Sequence, residues 1–278
     1  MENLVLGQDR RKKPDRREDA AEQSSATIEA AMERGEIEVL FQPLFDAASG
    51  GLIGAEALAR WQHPEQVLIG GAQLFDMAER AGVVDPLSRH VAKMALAAAA
   101  RWERDVRMSL NVTAADLANP SFAKTLAETI AETGFAPERL TIEITEQVLV
   151  ANLELSSLQL QQLAERGIRI ALDDFGAGFC NFRYLQRLPL HALKLDASLI
   201  EAIETSERDL AVLRGILAMA KALDLEVIAE GVERQAQLDA IVSEGCVAWQ
   251  GFLGAKPLAE AEFAEFAKRP PFPASPLS

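Results

Sequence analysis

The feature that most limits how this chain can fold is an alternation. Short β-branched or apolar runs are followed, time after time, by longer stretches of helical period. The runs are EVLFQPL, GLIGAEALAR, VRMSLNV, RLTIEIT, IRIALDD, ALKLD and LEVIAEG. The helical stretches cover 72–80, 86–103, 122–133, 154–166, 207–223 and 235–243. Repeated βα units predict a parallel sheet with helices outside it. A strand count near eight favours a closed barrel over an open, doubly wound sheet. Only an Ala-Ala-Ser-Gly-Gly turn separates the first two runs. A parallel pair needs a longer crossover, so these two must form an antiparallel hairpin. The expectation is an α/β fold: a modified TIM (β/α)8 barrel with an antiparallel first strand.

The chain has 278 residues, 49% of them hydrophobic, and one barrel of about 250 residues would use nearly all of it. We expect a charged, disordered leader over 1–26, the barrel over 27–269 and an irregular tail over 270–278, where four of nine residues are proline. The leader holds a basic run, RRKKPDRR at 10–17, which reads either as a solvated charge run or as a docking segment for an acidic protein partner, a membrane surface or nucleic acid. A net charge of -14 argues against nucleic acid polymers as ligands of the body. An anionic ligand would need cations at its site. Cys180 and Cys246 stand far apart, without histidines at metal-finger spacing. With no apolar run near the ~18 residues of a membrane span and no secretion signal, this fits a cytoplasmic protein.

The chemistry-bearing residues lie where apolar runs finish. Glu56 sits in GLIGAEALAR, Asn111 ends MSLNV, and Glu143 and Glu146 fall in TIEITE. Asp173 and Asp174 end IALDD, Lys194 and Asp196 end ALKLD, Glu230 and Glu233 sit in VIAEGVE, and Gln250 follows CVAW. In a (β/α)8 barrel the C-terminal strand ends converge on one mouth, and that mouth hosts the chemistry. Each residue alone could cap a helix or pair with an arginine. Five runs that each deliver an acid make repulsion at a shared mouth the larger problem, and cations resolve it. Oxygen donors suit hard ions such as Mg²⁺ or Mn²⁺. Adjacent aspartates are placed to serve two of them, one bridging. Lys194 could steady charge on a phosphate or simply pair with an acid. The histidines, His63, His90 and His191, form no metal motif.

These segments, in this order, resemble the EAL family of cyclic di-GMP phosphodiesterases. The likeness runs from about Val39 to Phe266: FQPLFD, GAEALARWQHPE with Glu56-Ala57-Leu58 as the naming tripeptide, SLNVTAADL, TIEITE, ALDDFGAGF, YLQRLPLHALKLD, VIAEGVE and GCVAWQGFLGAKPL. The resemblance implies that Glu56, Asn111, Glu143 and Asp173 are ligands of a first divalent cation, and that Asp173, with Asp174 beside it, serves a second. It implies that Glu230 and Gln250 hold water there, that Lys194 contacts the attacking water, and that Glu146 steadies the loop after the aspartates. It places Gln42, Leu58, Arg60 and Glu233 against the dinucleotide. A guanidinium such as that of Arg60 also matches a phosphate in fork geometry. The implied reaction opens one 3′–5′ bond of cyclic di-GMP to give linear pGpG, in a homodimer. The loop after Asp174 departs from the family pattern. It reads Phe175-Gly176-Ala177-Gly178-Phe179-Cys180-Asn181, without the usual tyrosine and serines, which bears on rate and regulation. A catalytically weak receptor for the same ligand is the alternative, and a metal enzyme acting on a small carboxylate is a third reading.

Overall fold

The computed structural model describes residues 27–272 apart from 66–67, 103–104, 148–151 and 179–181. The leader, most of the tail and the altered loop positions Phe179, Cys180 and Asn181 therefore lie outside the described residues. The strands are β1 (Ile37–Asp46), β2 (Leu52–Trp61), β3 (Ile69–Gly70), β4 (Arg107–Asn111), β5 (Leu140–Thr145), β6 (Arg169–Phe175), β7 (Ala192–Leu195), β8 (Glu226–Ala229) and β9 (Ala248–Trp249). They pair in the order β1-β9-β8-β7-β6-β5-β4-β2-β3, and a further β1–β2 pairing closes eight of them into a barrel. From β2 through β4 to β9 the barrel neighbours are parallel. β1 runs antiparallel to both β2 and β9, and β3 is a short antiparallel addition to β2. The expected hairpin and closure are both present.

Alternation within β1 shows how the barrel is built. Ile37, Val39, Phe41 and Phe45 are buried, while Glu38, Leu40, Gln42, Leu44 and Asp46 are half-exposed. Successive side chains on a strand point to opposite faces. The buried set packs outward under the helices, with Phe41 edge-on to Trp102 and tilted against Phe263. The other set faces the lumen. The helices supply matching apolar stripes. In the helix Val84–Ala99 the buried positions Val84, Leu87, Val91 and Ala95 recur every three to four residues, and Leu96, Ala98 and Ala99 widen the buried face at its end.

The lumen is layered. Its upper layer holds Glu56, Asn111, Glu143, Asp173 and Lys194 on the strands, with Glu230 and Gln250 one residue beyond β8 and β9. Two residues back along those strands lie Gly54, Ser109, Thr141, Ala171, Ala192, Ile228 and Ala248, which are mostly small. Barrels usually fill this space with branched side chains. Here the bulk is shifted outward and the upper lumen is left to polar groups. Phe272, the last described residue, is anchored to the barrel. Its N–H donates to the Gly50 carbonyl at 2.8 Å, and its ring packs edge-on against Trp249. Among the described residues no helix is long and apolar enough to cross a membrane.

Candidate active site

Lys194 stands at the centre of the upper layer and is 1% exposed. Its Nζ lies 2.7 Å from Glu143 Oε2, 2.7 Å from Glu230 Oε1, 3.3 Å from Glu56 Oε2 and 3.3 Å from Asp173 Oδ1. Four strands thus aim a carboxylate at one ammonium from a fifth. Glu56 is held at both oxygens: Asn111 Nδ2 donates to Oε1 at 2.7 Å and Gln250 Nε2 to Oε2 at 2.9 Å. Asp174 is the next residue after Asp173 and has φ +54°, a left-handed conformation uncommon outside glycine. Its N–H donates to Asp173 Oδ1 at 3.0 Å. Strain of this kind persists where the surroundings over-determine the backbone, and it concentrates at functional sites.

The electrostatics follow from counting charge. Five carboxylates, Glu56, Glu143, Asp173, Asp174 and Glu230, share one ammonium. Burial pushes Glu143 well above the ordinary carboxylate range; Lys194 opposes this, and Glu56, Asp173 and Glu230 add to it. Burial likewise raises Glu230 to about 8, against the pull of Lys194. Asp174 is raised by burial and then by Asp173. Burial would raise Glu56 too, but Lys194 and the amides of Gln250 and Asn111 hold it below its usual value. Burial disfavours the charged form of Lys194, yet the surrounding acids hold its pKa well above that of a free lysine. Without further positive charge, the cluster keeps protons on acids that water would strip.

The donor set fits a pair of hard divalent cations. Carboxylate oxygens of Glu56, Glu143 and Asp173 lie within 4.8 Å of one another, and so do those of Asp173, Asp174 and Glu230. Asp173 belongs to both groups, as a bridging ligand must. All donors are oxygen, which suits Mg²⁺ or Mn²⁺ over softer ions.

Beside the cluster is a cleft lined by Gln42, Glu56, Asp196, Ala197, Glu230, Gly231, Glu233, Gln250, Gly251 and Phe252. Gln42 pairs across the hairpin with Glu56. Leu58 and Arg60 do not enter the acid cluster. They follow Glu56 on the same face of β2, where β2 continues beyond its pairing with β4, which ends at Ala57. Arg60 Nη1 donates to the Ala59 carbonyl at 2.8 Å, and the guanidinium has no carboxylate partner among the described residues. Glu146 is half-buried just after β5. Asp196 turns out to be a cap: its Oδ1 accepts from Ser198 N at 3.0 Å and starts the short helix Ala197–Ile200. Sequence reasoning missed Phe252, a cleft residue 54% exposed with Lys256 Nζ 5.4 Å from its ring centroid. Its signal was an aromatic ring two residues past Gln250. No histidine among the described residues joins the cluster; His191 Nδ1, for example, accepts from Ile170 N.

The family model for the EAL domain matches residues 25–257. The chain belongs to the EAL domain family. This EAL domain is 35% identical over 259 residues to the cyclic di-GMP phosphodiesterase NbdA of Pseudomonas aeruginosa, covering 91% of this chain and 33% of NbdA. It spans about a third of the length of the curated relatives it matches. Among solved structures, the PaMucR phosphodiesterase in complex with c-di-GMP aligns at a TM-score of 0.80 and 31% identity, over 87% of this chain and 99% of that one. The EAL domain of Mycobacterium smegmatis DcpA aligns at 0.73 and 28%, over 86% and 99%.

Proposed function

We propose that this EAL domain binds two divalent cations, Mg²⁺ or Mn²⁺, and hydrolyses one 3′–5′ phosphodiester bond of cyclic di-GMP to give linear pGpG. The observation that carries this reading is the pair of oxygen triads that share Asp173 beside Lys194. Glu56, Glu143 and Asp173 would hold one ion with Asn111; Asp173 and Asp174 would hold the other, with Glu230 and Gln250 holding its water. When bound, the ions supply water activation and charge stabilisation at the leaving oxygen.

The chain's own groups do the rest. Gln250 and Asn111 fix Glu56 at both oxygens, so it cannot rotate away. Glu230 offers the attacking water the oxygen that Lys194 leaves free. Lys194 donates towards that water and towards charge developing on the phosphate oxygens. Glu146 steadies the loop that follows the aspartates. Gln42, Leu58, Arg60 and Glu233 frame the dinucleotide, with Arg60 placed to meet a phosphate. Phe252 adds an exposed ring on which a base can stack. On the family resemblance we also infer a cytoplasmic homodimer whose working unit is residues 27–269. The basic run at 10–17 is the candidate contact for a protein partner.

The test is product formation from cyclic di-GMP with Mg²⁺, Mn²⁺ or chelator. Metal-dependent pGpG is expected, and Glu56→Ala should abolish it. Lys194→Ala should keep ligand binding while slowing turnover. Binding without product in the unmodified protein would replace this reading with that of a receptor.

A further inference from the structure

The segment 197–201, directly after the Lys194 strand, touches two other mouth loops. Gly176, in the loop that follows Asp173 and Asp174, has φ +102°, and a Cβ there would lie 2.4 Å from Leu199 Cδ1. Gly231, one residue past Glu230, has φ +66°, and its Cβ would lie 2.4 Å from the Cβ of Ala197. Neither loop leaves space for a side chain against this segment. Close packing sets contact, but it does not fix the distance along the chain. Directed bonds do that, and one side chain provides them.

Gln237 is 2% exposed in the helix Gln235–Glu244. Its Oε1 accepts from Glu233 N and from Arg234 N, each at 2.9 Å. Its Nε2 donates to the carbonyls of Ile200 at 3.1 Å and Glu201 at 3.4 Å. One amide thereby joins the loop that carries Glu230 and Glu233 to the segment that follows Lys194. Arg234 repeats the link from outside, with Nε on Glu204 Oε1 at 2.8 Å and Nη2 on the Glu201 carbonyl at 2.6 Å. The same two loops line the cleft at Ala197, Gly231 and Glu233. A glutamine suits this place because its amide oxygen can accept twice on one side while its NH₂ donates twice on the other.

We propose that Gln237 is a positioning residue for the substrate: it clamps the loop after β8 to the segment after β7, and so sets Glu233 at the edge of the cleft. This rests on the phosphodiesterase reading for its effect on substrate, but not for the clamp itself. Gln237→Ala removes all four bonds. Gln237→Glu keeps the two acceptor bonds and loses the two donors. A buried-amide control is Gln159→Ala. Gln159 is 1% exposed and bridges Ala123 N and the Pro120 carbonyl, away from the cleft.

Two measurements test the clamp. Amide hydrogen exchange on the metal-free protein should speed up in Gln237→Ala for both 230–234 and 197–204, with the rest of the barrel unchanged. Exchange unchanged in either loop, or raised throughout the barrel, overturns the clamp, whether or not the protein turns over any substrate. In steady-state kinetics with cyclic di-GMP, KM should rise about 10-fold while kcat stays within about 3-fold, with Gln237→Glu intermediate. Gln159→Ala should leave KM where it was. An unchanged KM in Gln237→Ala, or an equal rise in the control, overturns the positioning role. Absence of turnover in the unmodified protein would count against the phosphodiesterase reading and leave the exchange result to decide the clamp.

Discussion

Replacing Lys194 by Met removes the one cation that four carboxylates contact. The nearest contacts, to Glu143 and Glu230, are 2.7 Å each. Breaking a buried ion pair from one side costs about 3–5 kcal/mol, because the charge left behind has no partner. The cluster has one relief, which is to take up protons. Each pH unit by which the solvent exceeds the pKa of an acid forced to stay neutral adds about 1.4 kcal/mol. The cost should therefore sit near the lower figure at pH 6 and near the upper one at pH 8. For a domain of this size, 1 kcal/mol moves the melting temperature by roughly 2–4 °C. The expected fall is about 6–12 °C at pH 6 and about 10–20 °C at pH 8, measured by thermal unfolding in chelator. Saturating Mn²⁺ should narrow the gap, since the ions replace the missing positive charge. A melting temperature within about 2 °C of the unmodified protein at both pH values would refute the reasoning, because the ammonium would then not be holding the acids together.

Metal-free protein should lose stability as pH rises. Glu230 is raised to about 8 from 4.5 and Glu143 is raised too, so the folded form keeps protons that the unfolded chain releases. Melting in chelator should fall between pH 6 and 8.5, and saturating Mn²⁺ should remove or reverse the slope because it displaces those protons; a melting temperature that rises in chelator contradicts this. Mn²⁺ at about 100 times its dissociation constant should stabilise by about 2.7 kcal/mol, roughly 5–10 °C, and Asp173→Asn should abolish the gain by removing the shared ligand. Asp174→Gly should raise the metal-free melting temperature by about 2–4 °C through relief of a positive φ, while turnover is lost. Phe252→Ala should raise KM about 5- to 100-fold, the equivalent of about 1–3 kcal/mol of base stacking, with a smaller change in kcat.

Much of the barrel could be read from the chain because its signals are local. β1 alternates for ten residues, a five-residue turn fixes the hairpin, and the helix Phe122–Thr133 was expected at those bounds. The helices Ala114–Ala118 and Ala197–Ile200, and the two-residue strand β3, are too short for a period to repeat, so the sequence carries no signal for them. Alternation also left open which face of β1 is dry. That depends on helices contributed from far along the chain, and they cover the outer face. At the site, the acids were legible because they end strands, and strand ends share a mouth. What could not be read is which of them meet. Asp196 ends the same run as Lys194 yet caps a helix, because its position two residues on places it at a helix start. Phe252 and Gln237 carry no periodic signal. An exposed ring and a fully bonded buried amide differ from their ordinary counterparts only in surroundings that the fold creates.

The reversed first strand has a consequence for where the chain enters the barrel. In an all-parallel barrel the chain enters at the end opposite the mouth. Here β1 runs the other way, so residue 37 lies on the side of the mouth, and the strand descends from it past Gln42. At about 3.4 Å per residue, entry point and Gln42 are roughly 17 Å apart along one extended strand. The shortest covalent route from the point of entry to the cleft is therefore a single strand that does not cross the barrel.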